Sequence, residues 1–211
     1  MTRRRGWRLD VFAIVLGLVL VVASVVIARD GRVGDVEQKV FRAINGLPDW
    51  LRPVMTAMQY FGLLLLPVVV AIVAAIYRRW RLAIALVLVV PLKLFVEKQV
   101  LKQLVDRQRP GVTEPDVTLR GVPAHGQSFP SGHAIIAFAV AWLLFMSLPR
   151  GWRWVPIGIG GLVLIARVYL GAHNPLDVVA GAGAGLLIGA VLDALIVRPG
   201  AAQPETSATP E

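Results

Sequence analysis

The chain has 211 residues, of which 56% are hydrophobic and 17% are charged, and its mean hydropathy of +0.68 is too high for a single soluble domain, so it predicts an integral membrane protein. The net charge of +9 does not indicate nucleic-acid binding, because the basic residues separate apolar segments instead of forming one continuous stripe. The sequence has no cysteine, which excludes disulfides, thiolate metal ligands and cysteine nucleophiles.

Six apolar segments approach the roughly 20 helical residues needed to cross a bilayer core of about 30 Å. They lie at residues 9–28, 54–77, 82–101, 132–148, 154–171 and 175–197. The first is longer than the apolar core of a signal peptide, which is about 7 to 15 residues, and is predicted to be a retained anchor. The third contains Pro91 and Lys93. Lys93 is expected to extend toward the membrane surface, although an intramembrane charge also marks a candidate functional residue. The predicted fold class is an all-α integral membrane protein with six transmembrane helices.

Short and densely basic segments indicate the cytoplasmic side of the membrane. These segments are residues 3–8, 78–81 and 150–153. Six spans then place both termini in the cytoplasm and place residues 29–53, 102–131 and 172–174 outside. The predicted organisation is a basic N-terminus at residues 1–8, one membrane domain at 9–197 and a disordered cytoplasmic tail at 198–211, where an apolar face is lacking.

Residues 29–53 contain a helical pattern of apolar side chains that predicts a short interfacial helix, and ordinary packing against the protein explains the pattern equally well. The pattern consists of Val36, Val40, Phe41 and Ile44, with Asn45 and Gly46 as a stop signal. Near the other end of the chain, a group of glycines permits close helix packing, either within one monomer or between subunits. They are Gly181, Gly183, Gly185 and Gly189.

The first polar motif is KQLVDRQRP, in which six residues separate Lys102 from Arg109 and Pro110 follows. Taken alone, a juxtamembrane basic segment that attracts lipid head groups explains this motif.

The second motif is PSGH, residues 130–133, directly before an apolar segment. Ser131 is a favourable N-cap, so a simple helix start is one interpretation. A helix start is also an anion site, because its free N–H groups and positive dipole end favour phosphate. Gly132 would let the backbone approach such an anion closely.

The third motif is RVYLGAHNPLD, with five residues between Arg167 and His173 and three between His173 and Asp177. A helix start explains part of it, with Asn174 as N-cap, Pro175 at the first helical position and the aspartate complementing the dipole. This interpretation does not explain why a histidine and an arginine flank the same turn.

The predicted topology brings the three motifs to one membrane surface. The fourth and sixth spans both run inward, so His133 and His173, which lie at their starts, share the outer face. The third span runs outward, and about 20 residues at 1.5 Å each carry Lys102 to that face as well.

Together, the three motifs resemble the signature of the type-2 phosphatidic acid phosphatase family, whose fold is shared with vanadium haloperoxidases. Their order and spacings match over residues 102–177. The resemblance implies a haloperoxidase-like helical bundle that acts on lipid phosphates. One position departs from the family pattern, because Ala166 stands where the family usually has serine. Losing one neutral hydrogen bond costs about 1 kcal/mol, which is less than tenfold in rate.

The resemblance also implies which residues hold the phosphate. Lys102, Arg109 and Arg167 would neutralise its equatorial oxygens, and Ser131 with the Gly132 N–H would add hydrogen-bond donors. No metal or other cofactor is expected, because these three cations replace the charge of a metal ion and no carboxylate cluster lies near them.

The resemblance assigns catalysis to three side chains. His173 would attack phosphorus and form a phosphohistidine, and Asp177 would orient its ring and stabilise the developing positive charge. His133 would protonate the leaving oxygen and then activate water. Because the two histidines need opposite protonation states, a bell-shaped dependence of rate on pH is expected.

The expected substrates are lipid phosphates reached from the bilayer, with an isoprenoid diphosphate such as undecaprenyl diphosphate first, and phosphatidic acid or phosphatidylglycerol phosphate as alternatives. The same residues also fit a lipid phosphotransferase. A non-catalytic protein that binds or transports lipid phosphates is the third possibility. The expected location is the plasma membrane with the active site on the extracytoplasmic face, and the sequence does not determine the oligomeric state.

Overall fold

The computed structural model describes residues 3–201, which are helical apart from their connections and one isolated bridge between Gln108 and Gln127. The helices are α1 (Arg3–Ala28), α2 (Asp35–Asn45), α3 (Arg52–Gln59), α4 (Leu65–Ile76), α5 (Trp80–Phe95), α6 (Lys102–Leu104), α7 (Pro110–Thr113), α8 (Gly132–Ser147), α9 (Trp154–Tyr169) and α10 (Pro175–Leu192). The all-α prediction is confirmed for these residues. Of the tail predicted to be disordered, residues 202–211 lie outside the described part of the chain.

Length and apolarity identify two helices able to cross a membrane, Gly6–Ala28 and Pro175–Val197. A third candidate is a bent pair of helical segments, Asp49–Gly62 and Leu65–Ile76. α8 and α9 are apolar but have 16 residues each, fewer than the roughly 20 that span a bilayer core. Membrane helices are therefore present, and the number of six spans stays a prediction.

α10 occupies the centre of the bundle, between α1 and α8, and glycines set its distance from both. A Cβ atom on Gly185 would lie 2.4 Å from the carbonyl oxygen of Ile135 on α8. On the opposite face, a Cβ atom on Gly183 would lie 2.8 Å from the carbonyl oxygen of Gly17 on α1. The glycine pattern thus serves close packing within the monomer.

The second predicted span is not one continuous helix. α3 is followed by a 3₁₀ turn at Tyr60–Gly62, and the two helical halves meet at an angle of 66°. At the bend, Gly62 lies against the start of α8, where a Cβ atom would be 2.5 Å from the Cβ atom of His133. The span predicted over residues 54–77 is therefore bent, because the chain turns to pack against α8 at a residue without a side chain.

α2 forms as predicted and ends at Asn45 with Gly46 as its C-cap, and only part of its apolar pattern is buried. Val36 and Val40 are 77% and 43% exposed, whereas Glu37, Phe41 and Asn45 are buried. The Asn45 side chain donates to the carbonyl oxygens of Thr118 and Tyr169 at 3.0 and 2.9 Å. The buried face of α2 therefore combines an apolar contact with polar anchors.

α5 continues through Pro91 and is followed by a π-helical turn at Val96–Leu101. The expectation that Lys93 extends toward the membrane surface is wrong. Its side chain is 9% exposed and forms an ion pair with Glu97, one turn further along the chain. An internal carboxylate thus replaces interfacial water as the partner of this ammonium group.

Candidate active site

The three sequence motifs border one cavity of about 490 Å³ at the starts of α8 and α10. Six of the predicted site residues line it, namely Lys102, Arg109, Gly132, His133, Arg167 and His173. The other two, Ser131 and Asp177, are fully buried and are not part of the cavity lining. The structure therefore brings together side chains that lie as many as 75 positions apart in the sequence.

His173 lies in the tight turn between α9 and α10 and is almost completely buried. Gly171 has a φ of 79° in this turn, a conformation that glycine adopts without a Cβ penalty. Burial lowers the pKa of His173, and the nearby cation Arg167 acts in the same direction, whereas Asp177 opposes them. The imidazole is therefore neutral at neutral pH, the state that a nucleophile requires.

Asp177 does not contact the His173 ring at hydrogen-bond distance. Its Oδ2 atom lies 3.8 Å from His173 Nδ1, and the Ser128 hydroxyl is close to both. Ser128 Oγ is 3.4 Å from Nδ1 and donates a hydrogen bond to Asp177 Oδ2. The backbone N–H of Asn174 donates to the same carboxylate oxygen at 2.7 Å. The expected aspartate–histidine pair thus includes a serine that the sequence motifs do not identify.

The second oxygen of Asp177 accepts a hydrogen bond from Arg107 Nη1 at 3.1 Å. Arg107 is fully buried and is also paired through both terminal nitrogens with Glu37 of α2. Glu37 in turn accepts a hydrogen bond from the Leu176 N–H at 2.8 Å. Burial acts to lower the pKa of Arg107, but its bonds to the two carboxylates outweigh it and raise that pKa.

Sequence reasoning missed this buried network of Glu37, Arg107 and Ser128. Arg107 stands two positions before Arg109 in the first motif, so its place in KQLVDRQRP was a usable signal. Glu37 gave no such signal, because its partner is 70 residues away in the chain. The network holds the turn that carries His173 against α2.

Each predicted phosphate-binding cation is anchored by another part of the protein. Arg109 Nη1 donates to the Ala172 carbonyl oxygen at 3.0 Å, and Arg167 Nη1 donates to the Gln59 side chain. Lys102 Nζ lies 2.9 Å from Glu97 Oε1. Burial lowers the pKa of Arg109, an effect that a bound phosphate would oppose.

Ser131 and Gly132 form the helix start predicted for the second motif. Ser131 is the N-cap of α8, but its N–H donates to the Asp177 carbonyl oxygen at 2.9 Å. Its hydroxyl has no hydrogen-bond partner within residues 3–201. Gly132 borders the cavity directly, whereas Ser131 is absent from the cavity lining.

Ala166, the departure from the family pattern, is fully buried and packs with Met55, Tyr169 and Leu170. It is absent from the lining of the cavity around the motif residues. The alanine therefore fits an apolar cluster beneath the site.

Part of the cavity wall is apolar and is formed at the bend between α3 and α4. Leu63, Leu64 and Leu65 line it together with Ile136 of α8. The cavity thus combines a cationic end and an aliphatic side, which fits a molecule with an anionic head and an apolar chain. Within the described residues, no group of three or more histidine, aspartate or glutamate side chains is placed to hold a metal ion.

Comparison with known proteins agrees with this geometry. Residues 80–198 match a family model described as the PAP2 superfamily. The chain is 35% identical over 153 residues to phosphatidylglycerophosphatase B of Bacillus subtilis, a match that covers 66% of this chain and 72% of that protein. It is 48% identical over 56 residues to an undecaprenyl-diphosphatase of Sulfolobus acidocaldarius, covering 26% of each chain.

The matched segments span between 26% and 72% of the length of these and two other curated relatives. Among solved structures, a transmembrane PAP2 type phosphatidylglycerolphosphate phosphatase from Bacillus subtilis superposes with a TM-score of 0.67 at 25% identity. This superposition covers 84% of the present chain and 94% of the other.

Proposed function

The chain belongs to the PAP2 superfamily, and from this premise we propose that it is a membrane phosphatase that hydrolyses phosphate or diphosphate esters of lipids. The observation that carries the proposal is the cavity itself, which is lined by His173, His133 and four basic residues together with an aliphatic wall. A soluble phosphate ester would need no such wall, whereas a lipid would place its first carbon atoms there.

The proposed enzyme lies in the membrane as one domain over residues 9–197 with six spans and both termini in the cytoplasm. Large apolar side chains remain exposed along α1, α4 and α5, including Phe12, Ile72 and Ile84, which supports contact with lipid. The basic residues 78–81 and 150–153 favour the cytoplasm for the connections that precede α5 and α9. The cavity then opens at the extracytoplasmic face of the plasma membrane.

In the proposed mechanism, His173 attacks the terminal phosphorus in line with the leaving oxygen. A nitrogen–phosphorus bond forms, the phosphorus–oxygen bond breaks, and the electron pair leaves on the lipid oxygen. Lys102, Arg109 and Arg167 would hold the equatorial oxygens, together with the N–H of Gly132. Asp177, held by Arg107 and Ser128, would stabilise the positive charge on the imidazole.

His133 would act as the proton donor for the leaving oxygen and then as the base for the water that hydrolyses the phosphohistidine. It lies in the first turn of α8 and shares the cavity wall with His173. The first proposed substrate is an isoprenoid diphosphate, with phosphatidic acid and phosphatidylglycerol phosphate as the alternatives. The names of two curated relatives, a phosphatidylglycerophosphatase and an undecaprenyl-diphosphatase, support the isoprenoid diphosphate and phosphatidylglycerol phosphate classes without choosing between them.

The deciding experiment is phosphate release by the purified protein in detergent with EDTA present, on an isoprenoid diphosphate, phosphatidic acid and phosphatidylglycerol phosphate. The wild type is expected to turn over at least one of them, and His173→Ala is expected to lose turnover. His125→Ala is the matched control, because His125 is an exposed loop residue outside the cavity lining. Absence of turnover on all three lipids would contradict the proposal.

The same assay distinguishes hydrolysis from transfer. Addition of a second lipid alcohol would give a new phosphorylated lipid if the phosphohistidine passes its group to alcohols. A phosphatase is expected to release inorganic phosphate in equal yield with or without that acceptor.

A further inference from the structure

Lys93 and Glu97 form a buried charged pair that lies outside all three motifs. The two side chains are one helical turn apart, are each 9% exposed and both line the cavity. Glu97 also reaches the first motif, because its Oε1 atom lies 2.9 Å from Lys102 Nζ. One carboxylate therefore joins two ammonium groups at the cationic end of the site.

A carboxylate in a phosphate site requires an explanation, because it repels the anion that the site is built to hold. Charge compensation alone would explain a pair packed between helices, away from any ligand. Glu97 and Lys93 instead line the same cavity as the two histidines. A pair in this position can exchange its internal partner for a ligand phosphate.

Gly132 shows where the Lys93 ammonium group lies. A Cβ atom on Gly132 would be 2.8 Å from Lys93 Nζ and 2.9 Å from Glu97 Oε2, so the charged pair occupies the space that a side chain would need. Gly132 directly precedes His133, the proposed donor to the leaving oxygen. The ammonium group therefore lies at the start of α8, next to the residue that carries the proposed proton donor.

From this placement, and resting on the proposed phosphatase function, we infer that Lys93 and Glu97 form a second phosphate subsite that selects lipid diphosphates over lipid monophosphates. When His173 attacks the terminal phosphorus of a diphosphate, the bond from that phosphorus to the bridging oxygen breaks. The electron pair remains on the bridging oxygen, which becomes a terminal oxygen of the lipid monophosphate. Lys93 stabilises this added negative charge, and its pairing with Glu97 is exchanged for pairing with the inner phosphate.

A monophosphate has no inner phosphate, so its leaving oxygen belongs to the lipid alcohol. Lys93 then stays paired with Glu97, which keeps the ammonium group compensated. The charge on Lys93 thus contributes chiefly to diphosphate turnover, and Glu97 sets how readily that charge becomes available.

The test compares an isoprenyl diphosphate with the isoprenyl monophosphate of the same chain length, so that the tail contributes equally to both. Lys93→Gln is expected to lower kcat/KM for the diphosphate at least tenfold more than for the monophosphate. Lys93→Arg is expected to keep the ratio of the two values within threefold of the wild type. Lys98→Gln is the matched control, because Lys98 is exposed on the next turn, and it is expected to leave the ratio unchanged.

An equal loss on both substrates, or no loss on either, would overturn the inference. If Lys93→Gln has no measurable turnover, Glu97→Gln tests the subsite instead, because this substitution removes the carboxylate charge that pairs with Lys93 and makes Lys93 available to the substrate. This variant is expected to lower KM for the diphosphate relative to the monophosphate, and an unchanged ratio would reject the subsite. Wild-type protein that prefers the monophosphate rejects the subsite alone, whereas wild-type protein inactive on both lipids rejects the phosphatase proposal.

Discussion

The chemistry proposed for His173 depends on an environment that keeps its ring neutral. Burial largely withdraws the imidazole from water, and the adjacent cations add to the cost of protonation, so its pKa is lowered from the ordinary value. Asp177 limits this effect through the Ser128 hydroxyl and its own charge. In the proposed mechanism, His173 would therefore combine a low pKa with a carboxylate that stabilises positive charge once the nitrogen–phosphorus bond forms.

This environment predicts how kcat/KM for phosphate release falls at acidic pH. A histidine whose folded-state pKa is lowered stays neutral to a lower pH than an exposed one, so activity falls only as the pH drops through that lowered pKa. We expect kcat/KM for phosphate release to remain high well below pH 6.5, the approximate pKa of a free histidine. A pH series with the wild type measures this limb, and an acid limb at or above that value would contradict the prediction.

At the scale of secondary structure, α2 is more than an interfacial helix. It carries Glu37 into the bundle, where this carboxylate holds Arg107, and Arg107 holds Asp177 behind His173. The α2 helix thus reaches the proposed nucleophile through two other side chains. We therefore predict that Glu37 is a positioning residue for the proposed reaction.

Glu37→Gln is expected to cost roughly 3 kcal/mol of stability, because it leaves part of the Arg107 charge uncompensated inside the protein. It should also lower kcat more than it changes KM, since the phosphate-binding cations stay in place. Thermal unfolding in detergent and steady-state kinetics measure the two effects. Asp35→Asn, on the exposed side of the same helix, serves as the control. A variant with reduced stability but unchanged kcat would assign Glu37 a purely structural role.

The secondary-structure elements also show which features of the fold and of the candidate site can be predicted from one sequence. The motifs were located because each is local, with spacings that one turn or one helix start can interpret. Glu37 was missed because glutamate is normally exposed and its partner lies in another segment. The bend at residues 60–64 was missed because residues 54–77 are mostly apolar, and hydropathy does not report that Gly62 contacts His133. Long-range contacts of this kind require the assembled fold.

At the scale of the whole molecule, the glycines of α10 set the geometry of the site. Gly185 allows α10 to approach the backbone of α8, and the two helices present His173 and His133 at their adjacent starts.

Gly185→Ala is expected to force the helices apart and to lower the free energy of unfolding by about 1 to 3 kcal/mol. The midpoint temperature of thermal unfolding and the rate of phosphate release should both decrease. Gly161→Ala on α9 is the control, because no atom lies within 4 Å of the added methyl position. Equal behaviour of the two variants would exclude the glycine contact as a determinant of the site.

The orientation of the whole molecule determines which membrane face supplies the substrate. The chain has no native cysteine, so single cysteines report accessibility without background. His125→Cys lies in the loop beside the cavity, and Gly151→Cys lies in the connection between α8 and α9. In intact cells, a membrane-impermeant maleimide is expected to label the first and spare the second, because the basic residues at 150–153 favour the cytoplasm. Both should react after lysis. The reverse pattern would place the cavity in the cytoplasm and restrict the enzyme to lipids of the inner leaflet.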